Sequence, residues 1–337
     1  MLSRLISLNI VILLSCCCIK STAQHVSLSQ TSSKNSLRGL SVVNDRVIWV
    51  SGSNGTVGRS VDSGQTFQFI PVPGFEKIDF RDIEAFNEME AVIMGIAEPA
   101  YILRTDDGGK TWRVVYENKT SGMFLDAMDF YDDQHGMVIG DPLDGKFFIA
   151  QTSDGGTTWR DVEDNMRPLA DSGEACFASS GTNIRMIKKN KALFVTGGTK
   201  SSLIKGNQKK ILNLIEPGKT TTGANSVAVK SNKAFVVVGG DFNQENAVAK
   251  NCLLTKNGGK SWFVPATPPH GYRSCVEYLG KKNWISCGLN GVDYSIDEGN
   301  NWQWISRQSF HVVRKAKTGA CIYFAGSNGA IGKLVMP

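Results

Sequence analysis

Hydrophobic and polar residues alternate in short runs along almost the whole chain. Residues 37–42 (LRGLSV), 81–86 (RDIEAF) and 125–130 (LDAMDF) are clear examples. Further runs lie at 175–178, 225–229, 273–278 and 311–314. Each is followed by a nearly continuous apolar run, at 46–50, 91–94, 136–139, 192–196, 234–238, 284–287 and 321–325. A period of two, rich in β-branched and aromatic residues, predicts strands packed in sheets. No segment keeps a period of 3.6 over ten residues, so no long helix is predicted. The pattern gives seven units, each opening on an inner strand and continuing into a more apolar second one.

Between the third and fourth strands an eight-residue stretch recurs. It reads T-D-D-G-G-K-T-W at 105–112, S-V-D-S-G-Q-T-F at 60–67, T-S-D-G-G-T-T-W at 152–159, T-K-N-G-G-K-S-W at 255–262 and S-I-D-E-G-N-N-W at 295–302. The residue types are those of a turn. Asp62, Asp107, Asp154, Asn257 and Asp297 accept hydrogen bonds from the backbone that follows. The glycine two positions on takes a positive φ, and the closing aromatic wedges between sheets. These carboxylates are therefore assigned to folding rather than catalysis. The frame resembles the Asp-box (BNR) repeat. The third residues of successive copies are 45, 47, 103 and 40 residues apart. The long gap holds two periods, with one copy lost near 205–213. A strand-rich repeat of roughly 45 residues predicts a β-propeller.

The last unit stops after its third strand, at Leu334. Residues 25–30 (HVSLSQ) alternate and are expected to supply the missing outer strand, which removes an exposed edge. The expectation is an all-β, seven-bladed propeller of four-stranded antiparallel blades, spanning 24–337 as one domain. Two stretches lie outside the pattern: a long connection at 163–174, and 200–223, expected to be a mobile loop or extended edge in the fourth blade. Residues 1–23 have Arg4, an apolar core at 5–14 and Ser21-Thr22-Ala23 before Gln24, as in a secretion signal peptide. The rival cut, before Cys16, would make a membrane-anchored lipoprotein. Either way the chain is expected to be exported, periplasmic or secreted. The apolar run is too short to span a bilayer.

Composition changes this picture little. The chain has 337 residues, 41% hydrophobic and 20% charged, with a formal net charge of +6. Removing 1–23 takes Arg4 and Lys20 with it, and no basic stripe remains for nucleic acid. Cys16, Cys17 and Cys18 leave too, so an odd number of cysteines remains and a fully paired disulfide framework is excluded. Cys275 and Cys287 flank one hairpin and are placed to bridge; Cys176, Cys252 and Cys321 read as small buried residues. Neither C-x-x-C nor H-x-x-x-H spacing occurs, so no metal or cofactor is expected.

In a propeller the inner strands start at one end of the central channel. On that reading the mouth gathers Arg38, Arg81, Asp126, Glu174, Asn225, Arg273 and His311. Loops add Glu98, Asp141, Asp144, Asp241 and Asn290. Three converging arginines need compensation. Either Asp82, Asp126, Glu174 and Asp241 neutralise them, knitting the blades together, or they hold an anionic or carboxylate ligand. A sialidase-like glycoside hydrolase is the alternative. It would use Tyr272 or Tyr278 with Glu277, Asp82 as acid/base and the three arginines. Against it, the first strand reads S-L-R-G rather than Phe/Tyr-Arg-Ile-Pro, and Glu277 and Tyr278 fall on opposite faces of one strand.

The repeated turns, the G-S-N-G loops at 52–55 and 326–329 and the arginines at strand starts together resemble the photosystem II stability/assembly-factor propeller family, over about 36–334. The resemblance implies a non-catalytic scaffold that holds a partner protein at an arginine-lined face during membrane-complex assembly. The lost fourth-blade turn and the long loops at 140–147 and 240–251 depart from that pattern. The sequence therefore favours an exported, monomeric binding or assembly propeller, without cofactor, for a protein or anionic partner.

Overall fold

The computed structural model describes residues 24–213, 215 and 217–336. The signal peptide expected at 1–23 lies outside them. Seven antiparallel sheets stand around a central axis. The first blade runs outward through Leu37–Val42, Ile48–Gly52, Thr56–Ser60 and Gln68–Pro71. The second, third and sixth repeat this order, from inner strands Phe80–Ala85, Leu125–Phe130 and Cys275–Gly280. In the seventh, His25–Ser29 pairs with Ile331–Val335, His25 opposite Val335 and Ser29 opposite Ile331. The N-terminal strand thus closes the ring as expected and covers an edge.

The cores lie between adjacent blades, because each sheet is apolar on both faces. One cluster joins blades one and two through Trp49, Ile83 and Leu103. Another joins two and three through Met94, Met128 and Phe148. Five of the blade interfaces also hold the closing aromatic of an eight-residue turn: Phe67, Trp112, Trp159, Trp262 and Trp302.

The turns have the predicted chemistry. Thr105 Oγ1 donates to Asp107 Oδ1 (2.8 Å) and accepts from Gly109 N (3.0 Å). Asp107 also accepts from Thr111 N (3.0 Å) and Thr111 Oγ1 (2.6 Å). The same arrangement surrounds Asp62, Asp154 and Asp297. At Asn257 the side-chain amide donates to Ser261 instead. Hydrogen bonds from the threonine hydroxyls, first of all, hold the carboxyls of Asp62 and Asp107 down to about 2. Two consecutive left-handed residues close each turn, such as Gly108 (φ 78°) and Gly109 (φ 84°).

The fourth blade departs from expectation twice. Its inner strand is Ile184–Lys188, not 175–178. Glu174–Ala175 instead pairs with Gly197–Gly198, beside the inner strand Thr222–Val229 of blade five. Stretch 200–223, expected as a loop or extended edge, supplies both outer strands of blade four, Ser202–Lys205 and Gln208–Ile211. They are joined by the two-residue hairpin Gly206-Asn207 where the eight-residue turn is lost. Cys275 and Cys287 are direct cross-strand neighbours with free thiols.

Candidate binding site at the channel mouth

Four of the inner strands begin with a bulge, and there the bulge decides which residue faces the mouth. In blades one, two, three and five the extra residues are Arg38, Arg81, Asp126 and Asn225. The equivalent residue of blade seven is His311, whose amide bonds Ala325 O (2.8 Å). In blade six it is Ser274, whose amide bonds Cys287 O (3.0 Å). Arg273 is one position early, where blades one and seven carry the buried Leu37 and Phe310. A one-residue shift turns a strand side chain to the other face. Arg273 is therefore not a mouth residue. It is fully buried against Asp293 (Nε to Oδ2, 2.7 Å), Tyr272 O (2.8 Å) and Asn290 Oδ1 (2.6 Å). Asp293, absent from the expected partners, also accepts from His270 N (3.2 Å).

Glu174 is not at the mouth either. It is buried, accepting from Thr196 Oγ1 (2.5 Å) and Asp171 N (2.9 Å) and pairing with Lys209. Asp241 pairs with Lys219 (3.5 Å) and accepts from Asn243 N. Two members of the expected ring are thus internal partners of blades four and six, and Asp241 is tied to Lys219 and to the start of its own loop.

Residues 176–183 fill the axis in place of an inner-strand start. Ser179 O accepts from Arg38 (3.1 Å) and Ala178 O from Arg81 (3.4 Å). Ser180 Oγ reaches Ser274 O (2.7 Å), Thr182 Oγ1 reaches Ser226 Oγ (2.6 Å) and Gly181 O accepts from Arg314 (3.0 Å). One segment therefore touches blades one, five, six and seven as well as two. We refer to it as the plug. Its small residues fit because the axis is narrow: a Cβ on Gly181 would collide with the carboxyl of Asp82.

Arg38 and Arg81 lie side by side above the plug. Burial, then the charge of Arg81, lowers the pKa of Arg38. The acid that pairs with Arg81 is Asp79, 2.8 Å from Arg81 Nε, and both of those side chains are 27% exposed; Arg38 has no ion-pair partner among the described residues. Asp126 forms no ion pair or hydrogen bond with either arginine; burial and then Asp141 push its carboxyl well upward, against the pull of Arg81. Asp141 itself, bonded to Cys176 N (2.9 Å), is raised by burial to about 6. His311 shares Nε2 with Ser36 (3.1 Å) and Ser327 (2.9 Å). Burial, then Arg38 and Arg81, lower it to about 3, so it is neutral. The mouth is electropositive, with unused guanidinium donors.

The tyrosines proposed as nucleophiles do not meet carboxylates. Tyr272 donates to Asn225 Oδ1 (2.8 Å) and is pushed up to about 12 by burial. Tyr278 donates to Lys281 O (3.1 Å). Glu277 lies at the far end of the channel, paired with Arg185 (3.3 Å) and Arg314 (3.8 Å). There Glu84, Asp129, Arg185, Glu277 and Arg314 line a cavity of about 360 Å³. That charged cup was missed, although strand alternation three residues beyond the mouth positions signals it. Asp82, the proposed acid/base, is buried beneath the plug and accepts from Met128 N (2.8 Å) and Ile83 N (2.9 Å). Among the described residues no cluster of ligand-type side chains could hold a metal, and no helix could cross a membrane.

No family model and no curated protein matches this chain. Solved structures do. A structure described as YCF48 bound to D1 peptide is 16% identical, covers 94% of this chain and 98% of its own, and has a TM-score of 0.65. YCF48 from Cyanidioschyzon merolae is 14% identical over 92% of this chain and 98% of its own, also at 0.65. The WD40 β-propeller domain of Doa1 is 14% identical over 93% and 97%, at 0.64. At these identities the similarity is one of fold.

Proposed function

We propose that this chain is an exported, non-catalytic binding propeller that holds a partner protein through a carboxylate at Arg38 and Arg81. The observation that carries this reading is the charge imbalance at the mouth. Of two adjacent, half-buried guanidiniums only Arg81 has a carboxylate, Asp79, and each otherwise donates to plug carbonyls. A carboxylate would satisfy the remaining N–H groups in the bidentate geometry that arginine favours. The tyrosine environments support binding over glycoside hydrolysis, since Tyr272 is held by an amide. YCF48, similar in fold, is described as bound to a peptide; a peptide partner is the matching reading here. Export rests on residues 1–23, and the eight-residue turns are read as Asp-boxes that brace the blades.

The test is thermal. Melting is followed with sulfate, succinate and chloride at matched ionic strength, for the wild type and for Arg38→Ala/Arg81→Ala. A ligand that binds only the folded state raises the transition by mass action. Sulfate and succinate should raise Tm in the wild type above chloride and lose that advantage in the double variant. Equal melting in all three salts for the wild type would overturn the proposal.

A further inference from the structure

The interface between blades three and four differs from five of the other six. The turn of blade one packs on blade seven, Gly64 against Tyr323. The turn of blade two packs on blade one, Gly109 against Trp49; that of blade three on blade two, Gly156 against Val92. Blades five and six do the same, Gly259 against Leu203 and Gly299 against Leu254. In every case the closing aromatic enters the core between the two blades. The core between blades three and four contains no such residue. At the corresponding hairpin, a Cβ on Gly206 would meet nothing within 4 Å.

The missing turn leaves a groove of about 980 Å³. Its apolar floor includes Met137 and Ile149 from blade three, Phe194 from blade four and Met166 from the connection between them. Met166 is 53% exposed. Its rim carries Lys191, Lys205, Lys233 and Lys260, and the lining contains no Asp or Glu. An apolar slot under four ammonium groups without a counter-charge is complementary to an acidic segment carrying one large apolar side chain.

We propose that this groove docks an acidic, extended peptide segment of a partner protein, whose aromatic side chain occupies the place of the absent fourth-blade tryptophan. The aromatic takes the apolar floor, as Trp159 and Trp262 do at their own interfaces. Flanking carboxylates face the lysines. The groove is on the flank of the ring, so it does not depend on the channel mouth.

The full chain is titrated with three fluorescein-labelled peptides: Glu-Asp-Trp-Asp-Glu, its Trp→Gly analogue, and Lys-Lys-Trp-Lys-Lys. Anisotropy should show saturable binding of the first, at least tenfold weaker binding of the second, and none of the third. The charge reversal Lys205→Glu/Lys260→Glu should weaken the first peptide at least tenfold, as should Met166→Asp. Arg38→Ala/Arg81→Ala should leave it unchanged, which separates this site from the mouth. Circular dichroism confirms that each variant is folded. Binding of the basic peptide as tight as the acidic one overturns the proposal. So does loss of binding in the arginine variant with retention in the lysine variant, or no saturable binding at all. Dimerisation in sedimentation, broken by Lys205→Glu/Lys260→Glu, would assign the groove to a second copy instead and also overturn it.

Discussion

Blades three and four sit side by side and solve the same packing problem differently. Blade three starts at the axis with a regular bulged strand, and its eight-residue turn seals the interface with blade two through Gly156 and Trp159. Blade four sends 176–183 across the axis before its inner strand begins, and joins its outer strands by Gly206-Asn207. One blade is braced from outside by its turn. The other is braced from inside by the plug and leaves its flank open. Structural regularity and available binding surface are thus inversely distributed around the ring: where the repeat fails, polar contacts converge at the axis and an apolar groove opens at the edge.

The comparison can be broken most severely in a regular blade. Arg273 and Asp293 form a fully buried pair in blade six. Removing one partner strands a buried charge. Arg273→Ala should cost about 3–5 kcal/mol, measured by denaturant unfolding; a loss below 1 kcal/mol would show that the pair is not what holds that blade.

The plug comes next. Gly181 has φ 63° and faces Asp82. Gly181→Ala adds both backbone strain and overpacking, with an expected loss of about 1–3 kcal/mol. Unchanged stability would mean that the plug yields freely and braces nothing.

Acid sharpens the contrast at the mouth. His311 titrates near 3 when folded against about 6.5 unfolded. Between those values the unfolded chain binds the extra proton, so stability from this group is complete above pH 6.5 and is lost as pH falls towards 3. His311→Gln should therefore narrow the drop in Tm between pH 7 and pH 4. An identical drop in variant and wild type would contradict the neutral, buried assignment.

The smallest effect separates the two hairpins directly. Asp154→Ala removes the acceptor of Thr158 N and Thr158 Oγ1 and should cost about 1 kcal/mol. Asn207→Ala, in the exposed hairpin of blade four, should fall within about 0.5 kcal/mol of zero. Equal losses would erase the distinction between a braced and an open flank.

The chain's local patterns determined a great deal by themselves. Alternation located the strands, and the spacing of Asp62, Asp107, Asp154, Asn257 and Asp297 gave both the ring and the loss of one turn. The unfinished last unit called for His25–Ser29, and the register with Ile331–Val335 meets that need. These properties are short-range or repeated, so each copy reinforces the next. The mouth was decided only in three dimensions. Arg38, Arg81 and Arg273 look equivalent in sequence, yet Arg38 and Arg81 are bulge residues, whereas in blade six Ser274 takes the equivalent place and Arg273 falls one position early. No residue type announces a bulge. The plug left one trace: Ile184 follows Met128 by more residues than Met128 follows Ile83 or Ile83 follows Leu40. That surplus signalled an insertion, but not its course. Small polar residues such as Ser179, Ser180, Gly181 and Thr182 suit a surface loop equally well. Only the narrow axis, with donors from several blades arriving at once, selects the buried path.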